Sequence, residues 1–319
     1  MHMADALLSP PVGGAMYAAS VAAVAYSVKK LKDDKVSENK APLMAVTGAM
    51  VFAAQMINFT IPGTGSSGHI GGGILLAALL GPFAGTLALA AVLVIQCLCF
   101  ADGGLFALGC NIFNIAVIPC LIICPLLFRP LLSAAPNRKR IWLASVISVV
   151  VALQIGSFCV VLQTTASGIT LLPFAPFALL MQPIHLVIGV IEGIVTAAIL
   201  NFVYSARPEI LMPAAANNTI ENVAPDVSPK KYNRRIIIVF ACITAALAAV
   251  ISVFASTNPD GLEWAIERTA GPEFFGPDGE DAYTPVTGLL GAGLVFAVAG
   301  AAAMIISASK KSRKERRRQ

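Results

Sequence analysis

The chain has 319 residues, of which 57% are hydrophobic and 12% charged, and a mean hydropathy of +0.80. That composition excludes a soluble protein and marks a polytopic membrane protein. The net charge of +5 sits in short runs, Lys29-Lys30-Leu31-Lys32, Arg138-Lys139-Arg140, Lys230-Lys231 with Arg234-Arg235, and Lys310 to Arg318. These read as cytoplasmic flanks of membrane helices, not as a nucleic-acid surface.

The chain opens on Met1-His2. A free N-terminus followed by histidine can chelate: the terminal amine, the His2 amide nitrogen and its imidazole Nδ1 close a five- and a six-membered ring on one ion. A fourth nitrogen completes a square plane, the geometry of Ni(II) or Cu(II) rather than zinc or magnesium. His69, in the glycine-rich stretch Thr64 to Gly73, is the natural fourth donor, since missing side chains let another backbone approach. The competing reading is that a second-position histidine is an accident of the start codon. Against it, histidines number only three, and Met1–Pro11 carries Asp5 and no basic region, so no cleavable signal peptide is expected. The reading requires translation to start at Met1 and not Met3.

Membrane helices need about 20 apolar residues. Val12–Val28 is the first expected span and Ala41–Ile61 the second, with Pro42 harmless in its first turn and Pro62-Gly63 ending it. Gly71–Phe100 is apolar throughout but interrupted at Gly81-Pro82. Leu105–Phe128, Ile141–Gln163 and Phe177–Tyr204 follow. A polar linker, Arg207–Asn233, precedes Ile236–Ala255 and Pro285–Ala308, which flank a polar loop at Ser256–Thr284. The seven cysteines lie in apolar stretches and read as core residues, not a disulfide framework. Cys120 and Cys124 share a helical face, and packing is favoured there over a thiolate site.

Charge parity decides what Gly71–Phe100 is. If every basic run is cytoplasmic, loop Pro62–Gly68 and Met1 both lie outside, and an odd number of crossings must separate that loop from Arg138. Splitting Gly71–Phe100 at Gly81-Pro82 supplies it. The expected fold is therefore an all-α polytopic membrane protein, with about seven helices to Tyr204 and a two-helix C-terminal block around an extracytoplasmic loop. The expected divisions are residues 1–206, a cytoplasmic linker at 207–235, the two-helix block at 236–309 and a basic tail at 310–319. The N-terminus is placed outside and the C-terminus in the cytoplasm, and Met1-His2 shares a face with His69.

Ionisable groups at membrane depth default to function. His185 and Glu192 are seven residues apart on one helical face, Asn111 and Asn114 share another, and Asp102 sits near the metal face. For Asn111, Asn114 and His185 interhelical hydrogen bonding is the first reading. Support of the metal ligands from behind is the alternative for all five residues. HExxH, Walker A and GxSxG motifs are absent, so ATP-driven work needs a separate ATPase.

Several blocks together resemble one family: Met-His at the N-terminus with Leu8-Ser9-Pro10, Ile61-Pro62-Gly63-Thr64 leading to Ser67-Gly68-His69, Leu79 to Gly85, Asp102-Gly103-Gly104-Leu105, Ala107 to Asn114, and His185 through Glu192-Gly193. Over residues 1–205 the chain looks like the CbiM/NikM family, the substrate-binding membrane components of energy-coupling-factor (ECF) transporters for cobalt and nickel. Asn258-Pro259-Asp260-Gly261-Leu262-Glu263-Trp264 resembles the PDGLE domain of CbiN/NikN-type subunits, so the chain resembles a fused protein. The resemblance implies an ECF substrate-binding core with the N-terminus tucked into its outer face. It implies Met1, His2 and His69 as ligands of transported Ni2+ or Co2+, no other cofactor, and no catalysis by the chain itself. Its implied partners are a CbiQ/NikQ-type coupling subunit and CbiO/NikO-type ATPases. Nickel is favoured by square-planar nitrogen ligation with a deprotonated amide; Gly65-Ser66-Ser67 before the loop histidine departs from commoner patterns and leaves cobalt open. Asp260 and Glu263 either attract cations or simply form a turn into a short helix. Ser256–Thr284 would otherwise hold the N-terminal segment in its chelating shape. The alternatives are a proton-coupled secondary transporter using His185 and Glu192, and an intramembrane metalloenzyme needing an open coordination position and a base, Asp102 or Glu192.

Overall fold

The computed structural model describes residues 1–33, 41–132, 136–211, 234–249, 254–271, 290–298 and 300–301. Helices dominate: α1 Pro10–Asp33, α2 Ala41–Gln55, α3 Gly73–Leu80, α4 Pro82–Phe100, α5 Leu108–Leu132, α6 Arg138–Ser167, α7 Phe174–Ala206, α8 Arg234–Ala249 and α9 Gly261–Ala270. Residues 290–298 and 300–301 are helical again. Five of these, α1, α4, α5, α6 and α7, are long and apolar enough to cross a bilayer. The chain is a multi-pass membrane protein. Its lipid-facing belt keeps large apolar side chains exposed, Leu126, Leu179 and Leu186 among them.

The break expected within Gly71–Phe100 falls at Gly81. That residue has φ +88°, its N–H bonds the Ala77 carbonyl at 2.9 Å, and Pro82 opens α4 where no N–H is missed. The two halves are unequal. α4 is a full span, whereas the eight residues of α3 rise about 12 Å, under half of a hydrocarbon layer about 30 Å thick. The chain reaches the start of α3 without a helix, so the loop carrying His69 dips into the bundle.

The second helix is shorter than its apolar run. It stops at Gln55 instead of Ile61, because the last residues pair as a ribbon: β1 Phe59–Ile61 lies antiparallel to β2 Ser66–Gly68, with Thr60 opposite Ser67. Gly63 and Gly65, at φ +78° and +75°, close the hairpin. α8 covers Arg234–Ala249, and residues 250–253 lie outside the described set. So do most of the linker (212–233), the basic pair Lys230-Lys231, and the tail 310–319. The expected loop Ser256–Thr284 is partly helical, as α9.

α6 and α7 pack along their lengths. Gly189 and Gly193 lie against α6, where a Cβ would stand 3.1 Å from Val150 Cα and 2.8 Å from Val146 Cα. This small-xxx-small approach fixes the rotation of α7 and turns His185 and Glu192 inward. At one end of the pair, Arg138 bonds Ser205 and Tyr204 bonds the Pro136 carbonyl. At the other end, the first residues of the chain, the 101–107 loop, the ribbon and α9 converge. All seven cysteines are free thiols; Cys120 Sγ donates to the Gly73 carbonyl at 3.3 Å, which ties α5 to α3.

Candidate metal centre

The N-terminal segment is inserted into the protein, without regular structure at residues 1–4 and as a single 3-10 turn over Asp5–Leu7. Met3 and Leu7 are fully buried, in a cluster with Val160, Phe177, Leu262 and Ile266. Asn111 grips Met3 from both sides, accepting its N–H at 2.8 Å and donating to its carbonyl at 3.2 Å, while Gly104 N–H donates to the same carbonyl at 2.9 Å. Asp5 accepts the Ala107 N–H at 2.8 Å. A Cβ at Gly104 would collide with Asp5, which is why the loop there has no side chain. Asn111 was expected to bond between helices; its partner is instead the backbone of the N-terminal segment. We expect Asn111→Ala to orphan the buried Met3 N–H and cost about 2 kcal/mol, read as a lower unfolding temperature and faster proteolysis at the N-terminus.

These contacts deliver Met1 and His2 to the His69 loop. The Met1 amine lies 3.1 Å from His69 Nε2 and donates to Asp260 Oδ2 at 2.6 Å. The His2 and His69 rings stack with centroids 5.1 Å apart and planes 20° from parallel. His2 Nδ1 lies 3.2 Å from Asp102 Oδ1, and His2 Nε2 is buried without a partner among the described residues. Burial, reinforced by the Met1 ammonium, lowers both rings to about 3. They are neutral and carry free lone pairs, the form that ligates metals. Burial raises the Asp102 carboxyl. It pushes Asp260 the same way, but the Met1 ammonium beside it holds that carboxyl well below the usual range.

The His69 loop is held from behind by α7. Glu192, 1% exposed, accepts the Gly71 N–H at 2.8 Å and the Gly72 N–H at 2.9 Å, one on each oxygen. Gln55, at the end of α2, donates to the Gly71 carbonyl at 2.6 Å. His185 is apart from the rings: its Nδ1 bonds the Met181 carbonyl at 2.8 Å. Asn114 is also apart from His2 and His69, in a reciprocal amide pair with Gln163 at 2.8 and 3.0 Å. Met1, His69, Asp260, His185, Glu192, Ile115 and Val149 line one small cavity beside these groups. Met1, His2, His69, Asp102 and Asn111 therefore come together, with Glu192 behind the loop. Asp5, Gln55, Gln96 and Gln163 were not singled out from the sequence; only Asp5, an acid just ahead of the first helix, carried any signal. No trio of His, Cys, Asp or Glu side chains among the described residues is arranged to hold an ion.

The family model described as the cobalt uptake substrate-specific transmembrane region, CbiM, matches residues 2–210. The chain belongs to the CbiM family. A PDGLE domain follows at residues 234–280, so the CbiM region and the PDGLE block are fused. Among similar proteins is one from Haloquadratum walsbyi, named as a metal transport protein, 36% identical over 71% of this chain and 99% of that one. Another is the fused nickel transport protein NikMN of Rhodobacter capsulatus, 32% identical over 68% of this chain and 65% of its own length. A crystal structure of a transition metal transporter superposes with a TM-score of 0.56 at 28% identity, covering 68% of this chain and 98% of the other. These names are those of metal transport components, not of enzymes.

Proposed function

We propose that this CbiM-family chain is the ion-binding membrane component of an ATP-driven importer of Ni2+ or Co2+. The ion is held by four nitrogens, the Met1 amine, the His2 amide, the His2 imidazole and the His69 imidazole, and the Met1 ammonium and the His2 amide each release one proton as it binds. The observation that carries the reading is the approach of the Met1 amine to His69 Nε2, 3.1 Å. Two nitrogens at right angles, each about 2.0 Å from one ion, stand about 2.8 Å apart. The two donors are thus nearly at the spacing of neighbours in a square plane. Closing the chelate turns His2 Nδ1 from Asp102 toward the ion. That leaves the Nε2–H for Asp102 or for Gln96, whose buried Oε1 has no partner among the described residues. A planar site with a deprotonated amide suits d⁸ nickel best, and relatives carry both nickel and cobalt names.

The basic end of the bundle, with Arg138 and Arg140, faces the cytoplasm by the positive-inside rule, so the N-terminus and His69 open to the outside. With no ATPase motif of its own, the chain works with a coupling subunit and cytoplasmic ATPases of the CbiQ/NikQ and CbiO/NikO types. A proton relay through His185 and Glu192 fits less well, because both Glu192 oxygens and the His185 Nδ1 are already engaged.

The test is elemental mass spectrometry of C-terminally tagged protein with its own Met1, grown in mixed nickel and cobalt, beside His2→Ala and His69→Ala. One ion per chain, lost in both variants, is the expected result and names the metal. An ion retained in both would overturn the reading.

A further inference from the structure

Among the described residues the Met1 amine bonds two side chains, and one of them, His69, belongs to the CbiM region. The other is Asp260 of the PDGLE block, 259 residues away, at 2.6 Å; the same oxygen, Oδ2, lies 3.9 Å from His69 Nε2. The two oxygens of Asp260 do different work. Oδ1 caps α9, accepting the N–H groups of Leu262 at 2.8 Å and Glu263 at 2.9 Å. Glu263 returns the bond by accepting the Asp260 N–H at 3.0 Å, a reciprocal capping box. Oδ2 is left to point at the amine.

The loop that carries this carboxylate is docked on the ribbon beside His69. Ser67 N–H donates to the Pro259 carbonyl and Ser67 Oγ to the Asn258 carbonyl, each at 2.8 Å, and Ser256 N–H donates to the Asn58 carbonyl at 2.8 Å. Trp264 Nε1 reaches the Thr64 carbonyl at 3.0 Å. Beneath, Leu262, Ala265 and Ile266 are buried against Met3 and Leu7. Gly261 leaves room for His185: a Cβ there would stand 3.2 Å from its Cε1. Asp260 is thereby fixed over the point where Met1 meets His69.

We propose that Asp260 is a positioning residue that holds the Met1 amine beside His69, so that the ion site of the CbiM region is assembled in the empty protein by a carboxylate from the PDGLE block. The inference rests on the reading of Met1, His2 and His69 as ion donors for its meaning, but the clamp itself is measurable without metal. A charged donor and a charged acceptor, both largely buried, make a hydrogen bond of the stronger class. An unclamped terminus would have to be recaptured from solvent by each arriving ion, which slows loading.

The experiment uses metal-free full-length protein in detergent. The rate at which a small activated ester acylates the Met1 amine is read by mass spectrometry of the N-terminal peptide, and nickel association is followed by stopped flow. Asp260→Asn keeps the cap, since Asn caps helices as well as Asp, and removes the charge that faces the amine. The expected result is acylation faster by about ten- to a hundredfold, the range for losing one charged hydrogen bond, and nickel association slower by a similar factor at unchanged stoichiometry. Glu263→Ala loosens the capping box and leaves Oδ2 in place; its amine should stay protected. Wild-type protection in Asp260→Asn would overturn the proposal. So would equal deprotection in Glu263→Ala, because protection would then follow the loop and not the carboxylate. Nickel retained in His2→Ala and His69→Ala would instead sink the metal-site reading, whatever Asp260 does.

Discussion

A single residue added ahead of Met1 is expected to abolish nickel retention as thoroughly as His2→Ala. The reason is chemical before it is steric. An extended chain turns the amine into a peptide nitrogen, so the five-membered ring loses the donor that begins it. The amine is also the group that bonds both His69 and Asp260. Four-ligand structural sites bind with about 10–16 kcal/mol, which shared among their donors makes each worth roughly a hundredfold or more in affinity. Competition titration with a chelator of known affinity checks it. An extended protein that binds as tightly as the native one would remove the amine from the ligand set.

The second large effect is expected at Glu192. Its carboxylate sits at the N-terminus of α3, where Gly72, at φ +76°, provides no side-chain cap. Glu192 supplies from α7 what a capping residue supplies locally: acceptors for the Gly71 and Gly72 N–H groups and a negative charge at the positive end of a helix. Glu192→Ala leaves both N–H groups orphaned inside the bundle and is expected to cost about 3–5 kcal/mol. Glu192→Gln keeps one oxygen but turns an NH2 toward an N–H, a donor against a donor, and is expected to cost about 2 kcal/mol. Both should lower the unfolding temperature in detergent. Both should also weaken nickel binding by about tenfold, through displacement of His69, the range for support behind a ligand. A Glu192→Gln protein with native stability and nickel affinity but no uptake would restore the proton-relay reading.

Much of the fold could be read from the chain because a bilayer imposes length and charge rules that act locally. The five long spans follow from apolar length, and the break at Gly81-Pro82 from parity and a proline. That His2 and His69 would share a face followed from the same parity. Long-range hydrogen bonding could not be read this way. Helix two runs into the ribbon within one apolar stretch, and only the partners across the hairpin and the Ser256 bond to Asn58 show why it ends at Gln55. Glu192 looked like an isolated acid in a membrane helix; its partners, Gly71 and Gly72, are about 120 residues earlier and carry no side chain to advertise them. Asn111 and Asn114 shared a helical face and were treated alike, yet one grips Met3 and the other pairs with Gln163.

The burial of Met1 among residues 69, 102 and 260 also fixes an order of events in biosynthesis. Met1 and His2 have no place to sit until their partners exist. At ordinary elongation rates of about 5–20 residues per second, Asp260 emerges roughly 13–50 s after Met1. Through that interval the N-terminus waits beside a half-built bundle, and its docking closes a contact 259 residues apart in sequence, a kind that is slow to form. Maturation of the site is thus a late step of synthesis. A chain truncated after Ala206 would leave the membrane with its helices placed but its N-terminus without the last of its anchors.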